Sequence, residues 1–158
     1  MSDEIKITRE KLVQLLNEDL AREYQAIIAY VVYSQVIKGA EYTDVARELE
    51  KHAAEELNHA LKIAKQIDYL GGYPVVFPKP VVTSNDPVVL LHADLENERA
   101  TLAHYRQRIR QAEAMGEFAL SEILREIIVQ EQEHEIDLAS ALGMPLSKDL
   151  GKTTEGSA

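Results

Sequence analysis

Glu-x-x-His occurs twice in this 158-residue chain, as Glu56-Leu57-Asn58-His59 and as Glu131-Gln132-Glu133-His134. Each copy follows another glutamate at the same distance: 33 residues separate Glu23 from Glu56, and 33 separate Glu98 from Glu131. All six residues fall on the stripes of helical segments that should be apolar if they only made a core. Residues three apart on a helix point to the same side. Burying four carboxylates with nothing to balance them is very costly. The pattern therefore demands cations at one depth in a helical core.

Four long helices carry these residues. The first runs from about Arg9 to Lys38, with Thr8 as N-cap and Gly39 after its end. Leu16, Leu20, Glu23, Ile27, Tyr30 and Ser34 share one face. The second runs from about Tyr42 to Leu70 and stops at Gly71-Gly72. Val45, Leu49, His52, Glu56, His59, Ile63 and Leu70 form its inward stripe. The third starts at Pro87, capped by Asp86, and runs to about Met115. Leu91, Asp94, Glu98, Leu102, Tyr105 and Ile109 share its face. The fourth follows Gly116 and ends near Leu142, with Leu120, Leu124, Ile127, Glu131, His134, Leu138 and Leu142 as its stripe.

Short links make helices one and two, and three and four, antiparallel hairpins. Between the hairpins lies GGYPVVFPKPVVTSN, whose Gly and Pro residues cannot continue a helix. About 14 extended residues span roughly 46 Å, and a helix of about 28 residues is about 42 Å long. This segment can therefore cross the full bundle and start helix three parallel to helix two. The alternative is a short β-strand at VVFP or PVV, which would have no partner. The expected fold is all-α, a four-helix bundle with a long crossover between helices 2 and 3. One domain is expected over residues 1–150, and residues 151–158 read as a polar, disordered tail.

Composition narrows the function. The net charge of −10 argues against nucleic acid and anionic membranes as partners and is compatible with metal cations. The absence of cysteine excludes disulfides, iron–sulfur clusters and thiol catalysis, and fits a reducing cytosol. No signal peptide and no apolar run of membrane-spanning length is visible, so a cytoplasmic protein is expected. Two divalent cations neutralise four carboxylates. Oxygen and imidazole ligands without thiolate suit iron or manganese, and zinc also occupies such sites. With five histidines in the chain, one Glu-x-x-His means little. Two copies, equally offset from two in-register glutamates, are a specific signal.

This arrangement resembles the ferritin-like superfamily, and bacterioferritin most closely. The family has a lone Glu on its first and third helices, Glu-x-x-His on its second and fourth, and a long crossover. The likeness covers about Leu12 to Leu142. It implies Glu23, Glu56, His59, Glu98, Glu131 and His134 as ligands of two Fe ions per chain, with Glu56 and Glu131 bridging. Mn or Zn is a further expected occupant of a purified sample. The family's tyrosine seven residues after the first ligand corresponds to Tyr30, counted here among the catalytic residues. The resemblance implies a ferroxidase: Fe(II) oxidised by O2 or peroxide, for iron storage or detoxification, in a homo-oligomer of at least two chains, with a cage left open.

Three positions depart from the family. Its haem-ligating methionine is Leu57 here, and the only methionines are Met1, Met115 and Met144, so no haem is expected. Only MPLSKDLG follows Gly143 before the polar tail, where cage-forming members have a fifth helix. The acidic residue before the fourth-helix ligand is Gln130 here, which alters the basicity of a histidine. Two other functions are consistent with the pattern. One is a rubrerythrin-like diiron peroxidase or oxidase without storage; the other is a helical module holding a structural metal.

Further residues carry open readings. His52, one turn before Glu56, is an extra ligand, an iron-entry residue or, preferably, a core histidine beside the ligands. Asp94 either hydrogen-bonds a ligand or complements the helix dipole. Tyr30 and Tyr105 could hydrogen-bond ligands or donate an electron, with a structural role favoured for Tyr105. The basic run from His104 to Arg110 reads as a solvated face or a subunit surface. Val31, Val32 and Ile128 read as exposed apolar residues of an oligomer interface.

Overall fold

The computed structural model describes residues 6–146. Four helices form: α1 (Arg9–Val36), α2 (Thr43–Tyr69), α3 (Pro87–Ala114) and α4 (Phe118–Ala141). A 3-10 turn at Ala40–Tyr42 precedes α2. The expected tail, residues 151–158, lies outside the described residues, as do residues 147–150 of the expected domain.

Local chemistry sets the ends. The Thr8 side chain accepts from the Lys11 amide, and Asp86 accepts from the Val88 amide with Pro87 opening α3. Each cap satisfies a donor that the first turn leaves unpaired. Gly116 closes the second hairpin at φ 74°, a left-handed conformation that a side chain would strain.

α1 packs on α2 and α3 on α4, and the hairpins meet through α1 with α3 and α2 with α4. The crossover lies along α1. Asn17 donates to the Tyr73 carbonyl and accepts from the Val75 amide. Gln25 donates to the Pro80 carbonyl, Lys79 donates its amide to the Ala21 carbonyl, and Tyr33 donates to the Val82 carbonyl. The segment thus follows α1 from its first half towards its end, and α3 starts parallel to α2. Its extended stretches form no strand among the described residues.

The core has two apolar ends. One gathers Leu12, Leu16, Leu20, Ile63, Ile67, Leu120 and Leu124; the other gathers Tyr33, Leu49, Leu90, Leu91, Leu95 and Leu138. Between them, on all four helices, lies a buried polar layer. Val31 and Val32 are exposed as expected, but Ile128 is half-buried against the core that includes Leu124 and Ile127. No helix among the described residues is long and apolar enough to cross a membrane.

Candidate metal centre

The polar layer contains Glu23 from α1, Glu56 and His59 from α2, Glu98 from α3, and Glu131 and His134 from α4. All six are buried. Helical spacing explains the convergence, because Glu56/His59 and Glu131/His134 stack on the inward faces of α2 and α4. Ligand atoms of Glu23, Glu56, His59 and Glu131 lie within 4.8 Å of one another, and so do those of Glu56, Glu98, Glu131 and His134. The two sets share Glu56 and Glu131.

The histidines aim one nitrogen inward. His59 Nδ1 lies 2.9 Å from Glu56 Oε2 and 2.9 Å from Glu131 Oε1. His134 Nδ1 lies 3.0 Å from Glu56 Oε1. Their Nε2 atoms face outward, towards Gln130 Oε1 at 2.6 Å from His59 and towards Glu55 Oε2 at 3.3 Å from His134. The outward bond fixes which nitrogen is free to ligate.

A 75-residue step relates the halves: Glu23 to Glu98, Tyr30 to Tyr105, Glu56 to Glu131 and His59 to His134. The tyrosines cross over. Tyr30 donates to Glu98 Oε1 at 2.5 Å, and Tyr105 donates to Glu23. The structural role favoured for Tyr105 thus gives way to a hydrogen bond on a candidate ligand. Its pairing with Tyr30 was visible in their common spacing from Glu23 and Glu98.

Charge balance in the layer is strained in the way a cation would relieve. Burial pushes the Glu56 carboxyl up to about 8, with Glu23 beside it adding to the effect. Burial, with Glu56 and Glu23 nearby, pushes Glu131 up to about 7. Burial and Glu131 raise Glu98 well above the usual carboxylate range. Glu23 runs the other way: burial would raise it, but Glu56 and His59 hold it at about 2. Burial disfavours charge on both imidazoles, yet the surrounding carboxylates outweigh it and hold their protons far above the usual histidine range. Protons here stand in for metal charge. Three buried carboxylate oxygens, Glu23 Oε2, Glu98 Oε2 and Glu131 Oε2, have no hydrogen-bond partner among the described residues. A donor set of oxygens and imidazole nitrogens without sulfur fits two hard or borderline divalent cations.

A narrow cavity of about 30 Å³ reaches the layer between α1 and α3. It runs from Arg22, Gln25, Asn97 and Thr101 to Glu23, Glu56, Glu98 and Glu131. On another side His52 stacks on His134, with ring centroids 4.0 Å apart. Its Nε2 meets Asp137 Oδ2 at 3.1 Å. Glu48, His52 and Asp137 bring ligand atoms within 4.8 Å of one another, a grouping the stripe of α2 alone did not reveal because Asp137 lies on α4. Asp94 is buried, and its Oδ2 has no hydrogen-bond partner among the described residues.

The basic run on α3 is not uniformly solvated. Arg108 is buried and donates to Asp19 Oδ2 at 2.6 Å, to Asp19 Oδ1 at 3.1 Å and to Gln111 at 2.5 Å.

A four-helix bundle with one long crossover and a carboxylate–histidine layer across all four helices defines a ferritin-like protein. The model of the ferritin-like domain matches residues 13–144, and the chain belongs to that family. It is 28% identical over 127 residues to bacterioferritin of Desulfovibrio desulfuricans, a match covering 80% of this chain and 71% of the relative. Among solved structures, a ferritin-like, diiron-carboxylate protein of Bacillus anthracis superposes with a TM-score of 0.82 at 31% identity, covering 90% of this chain and 99% of that one. A bacterioferritin-related dodecameric thioferritin of Bacteroides fragilis superposes with a TM-score of 0.80 at 32% identity, covering 87% and 88%.

Proposed function

We propose that this protein is a diiron ferroxidase that oxidises Fe(II) with O2 or peroxide and serves iron storage or detoxification. One observation carries the reading: two buried ligand sets, each with one histidine, share Glu56 and Glu131. In this reading Glu23 and His59 would hold one ion, Glu98 and His134 would hold the other, and Glu56 and Glu131 would serve both. Two Fe(II) ions held there would supply two electrons together, enough to reduce O2 with two protons to hydrogen peroxide, or hydrogen peroxide with two protons to two waters.

The chain's own residues prepare this. Gln130 and Glu55 accept from the outward nitrogens and leave Nδ1 of each histidine free to ligate. Tyr30 and Tyr105 each hold a proton on the phenol oxygen, raised by burial and by Glu98 and Glu23 respectively. They orient those carboxylates by hydrogen bonding. Exposed Val31, Val32 and Leu57 supply apolar surface for a homo-oligomer, and the thioferritin relative is dodecameric.

The test is an aerobic Fe(II) titration of the metal-free protein, following ferric absorbance against iron added per chain. A break at about two irons supports the diiron centre. Soluble ferric iron accumulating far beyond that ratio adds storage to the reading. Sustained peroxide turnover with an added reductase moves the function to a peroxidase. No oxidation above the buffer control leaves a structural metal.

A further inference from the structure

The two halves of the layer match ligand for ligand, but what stands behind the ligands does not match. Glu55 and Gln130 are equivalent under the 75-residue step, since each immediately precedes a shared glutamate. Behind His134 is the Glu55 carboxylate, 3.3 Å from Nε2; behind His59 is the neutral Gln130 amide, 2.6 Å from Nε2. A second pair departs in the same sense. Asp19 and Asp94 are equivalent, but Asp19 is clasped by Arg108, whereas the position equivalent to Arg108 is Tyr33. Tyr33 donates instead to the Val82 carbonyl, and Asp94 Oδ2 has no hydrogen-bond partner among the described residues. A buried guanidinium therefore stands one turn beyond the Tyr105–Glu23 bond and has no counterpart beyond Tyr30–Glu98.

We propose that the centre holds its two cations unequally. The position at Glu98 and His134 fills first and tightly, and the position at Glu23 and His59 fills second and weakly. The proposal rests on the reading of this layer as a two-metal centre. A carboxylate behind a ligating imidazole raises its basicity and stabilises the charge the ring gains on binding, and outer partners of this kind change metal affinity about 10–100-fold. A neutral amide orients the ring but supplies no charge. The Gln130 contact is shorter, yet the charge of Glu55 decides the order, because hydrogen bonds to ionised groups are roughly twice as strong as neutral ones. Glu55 is 28% exposed, so solvent trims this advantage without cancelling it. The weak half then sets the Fe(II) concentration at which both ions are present together.

Anaerobic calorimetric titration of the metal-free protein with Co(II), which has a visible spectrum, tests this. Two resolved steps are expected, separated by about tenfold or more in affinity. Gln130→Glu should tighten only the second step, and Glu55→Gln should loosen only the first. Both positions are half-buried rather than core, and each change keeps side-chain size. A single step of two equal ions overturns the inequality. So do two steps that neither variant moves, or variants that act on the opposite steps. No Co(II) uptake at all is a different result, because it removes the two-metal centre itself and the inequality with it.

Discussion

Arg108 on α3 grips Asp19 on α1 through Nε and Nη2, at 2.6 and 3.1 Å. Both side chains are almost wholly buried, so the pair ties the two hairpins together at one edge of the polar layer. Arg108→Ala leaves a buried carboxylate with Arg22 as its remaining partner, 3.0 Å away. Removing one member of a buried pair costs about 3–5 kcal/mol. The expected loss in urea unfolding of the metal-free protein is at the lower end, about 3 kcal/mol, because Arg22 stays. The double change Asp19→Leu with Arg108→Leu should recover part of that loss, since no carboxylate is then buried without a cation, while Arg22 loses its Asp19 partner and must turn to solvent.

Metal should move stability by about as much as a buried ion pair at the edge of the layer. A ligand at 100 times its Kd stabilises the folded state by about 2.7 kcal/mol. Glu131→Gln removes the carboxylate proposed as a shared ligand but also relieves carboxylate crowding. The metal-free variant is therefore expected to melt no lower than the parent, while the gain on adding Zn(II) disappears. Paired melting curves with and without Zn(II) check this. A variant that keeps the full Zn(II) gain would remove Glu131 from the ligand set.

The pH dependence has a definite sign. Glu56 and Glu131 hold protons up to about 8 and about 7 in the folded, metal-free protein, both raised first by burial. A free glutamate loses its proton near 4.3. Between about pH 5 and 8 the folded state thus binds more protons than the unfolded one, and stability falls as pH rises. The histidines act in the same direction, since their folded values are also raised. Their stabilisation is complete below the unfolded value of about 6.5 and shrinks above it. Glu23, held at about 2, gives up its contribution only in acid below this window. Urea midpoints at pH 6 and pH 8 should show the metal-free protein more stable at pH 6. Metal binding must expel these protons, so Zn(II) affinity should rise over the same interval. Calorimetry in two buffers of different ionisation heat should report proton release.

Much of this was readable in the chain, and the reasons differ by residue. Thr8 and Asp86 cap helices through contacts two or three residues away, so the sequence contains the whole interaction. The six-residue layer was readable because helical periodicity converts spacing into direction. Arg108 was not, because its burial depends on Asp19, 89 residues away on another helix. The surrounding basic residues made a solvated face the natural expectation. Ile128 shows the same limit: one helical position separates an exposed residue from one half-buried against a neighbouring helix. The grouping of His52 with Asp137 likewise required knowing how α2 and α4 meet.

The crossed tyrosines supply the last expectation. Tyr30 and Tyr105 make equivalent bonds to Glu98 and Glu23, but their surroundings differ. The Tyr30 ring stands edge-on to both His52 and His134, at centroid distances of 5.1 and 5.9 Å. Both tyrosines also join an apolar end, Tyr30 with Leu49 and Leu95 and Tyr105 with Leu20, Leu120 and Leu124, so the histidine rings are what set Tyr30 apart. Removing either hydroxyl frees a carboxylate oxygen, so both Phe variants should slow Fe(II) oxidation, by about tenfold where only orientation is lost. Tyr30→Phe should be the slower of the two if the Tyr30 phenol also donates an electron, because its ring adjoins His134 and His52. Stopped-flow oxidation compares the rates, and Co(II) uptake shows whether both variants still take two ions. Equal rates at full Co(II) uptake would confine Tyr30 to orienting Glu98.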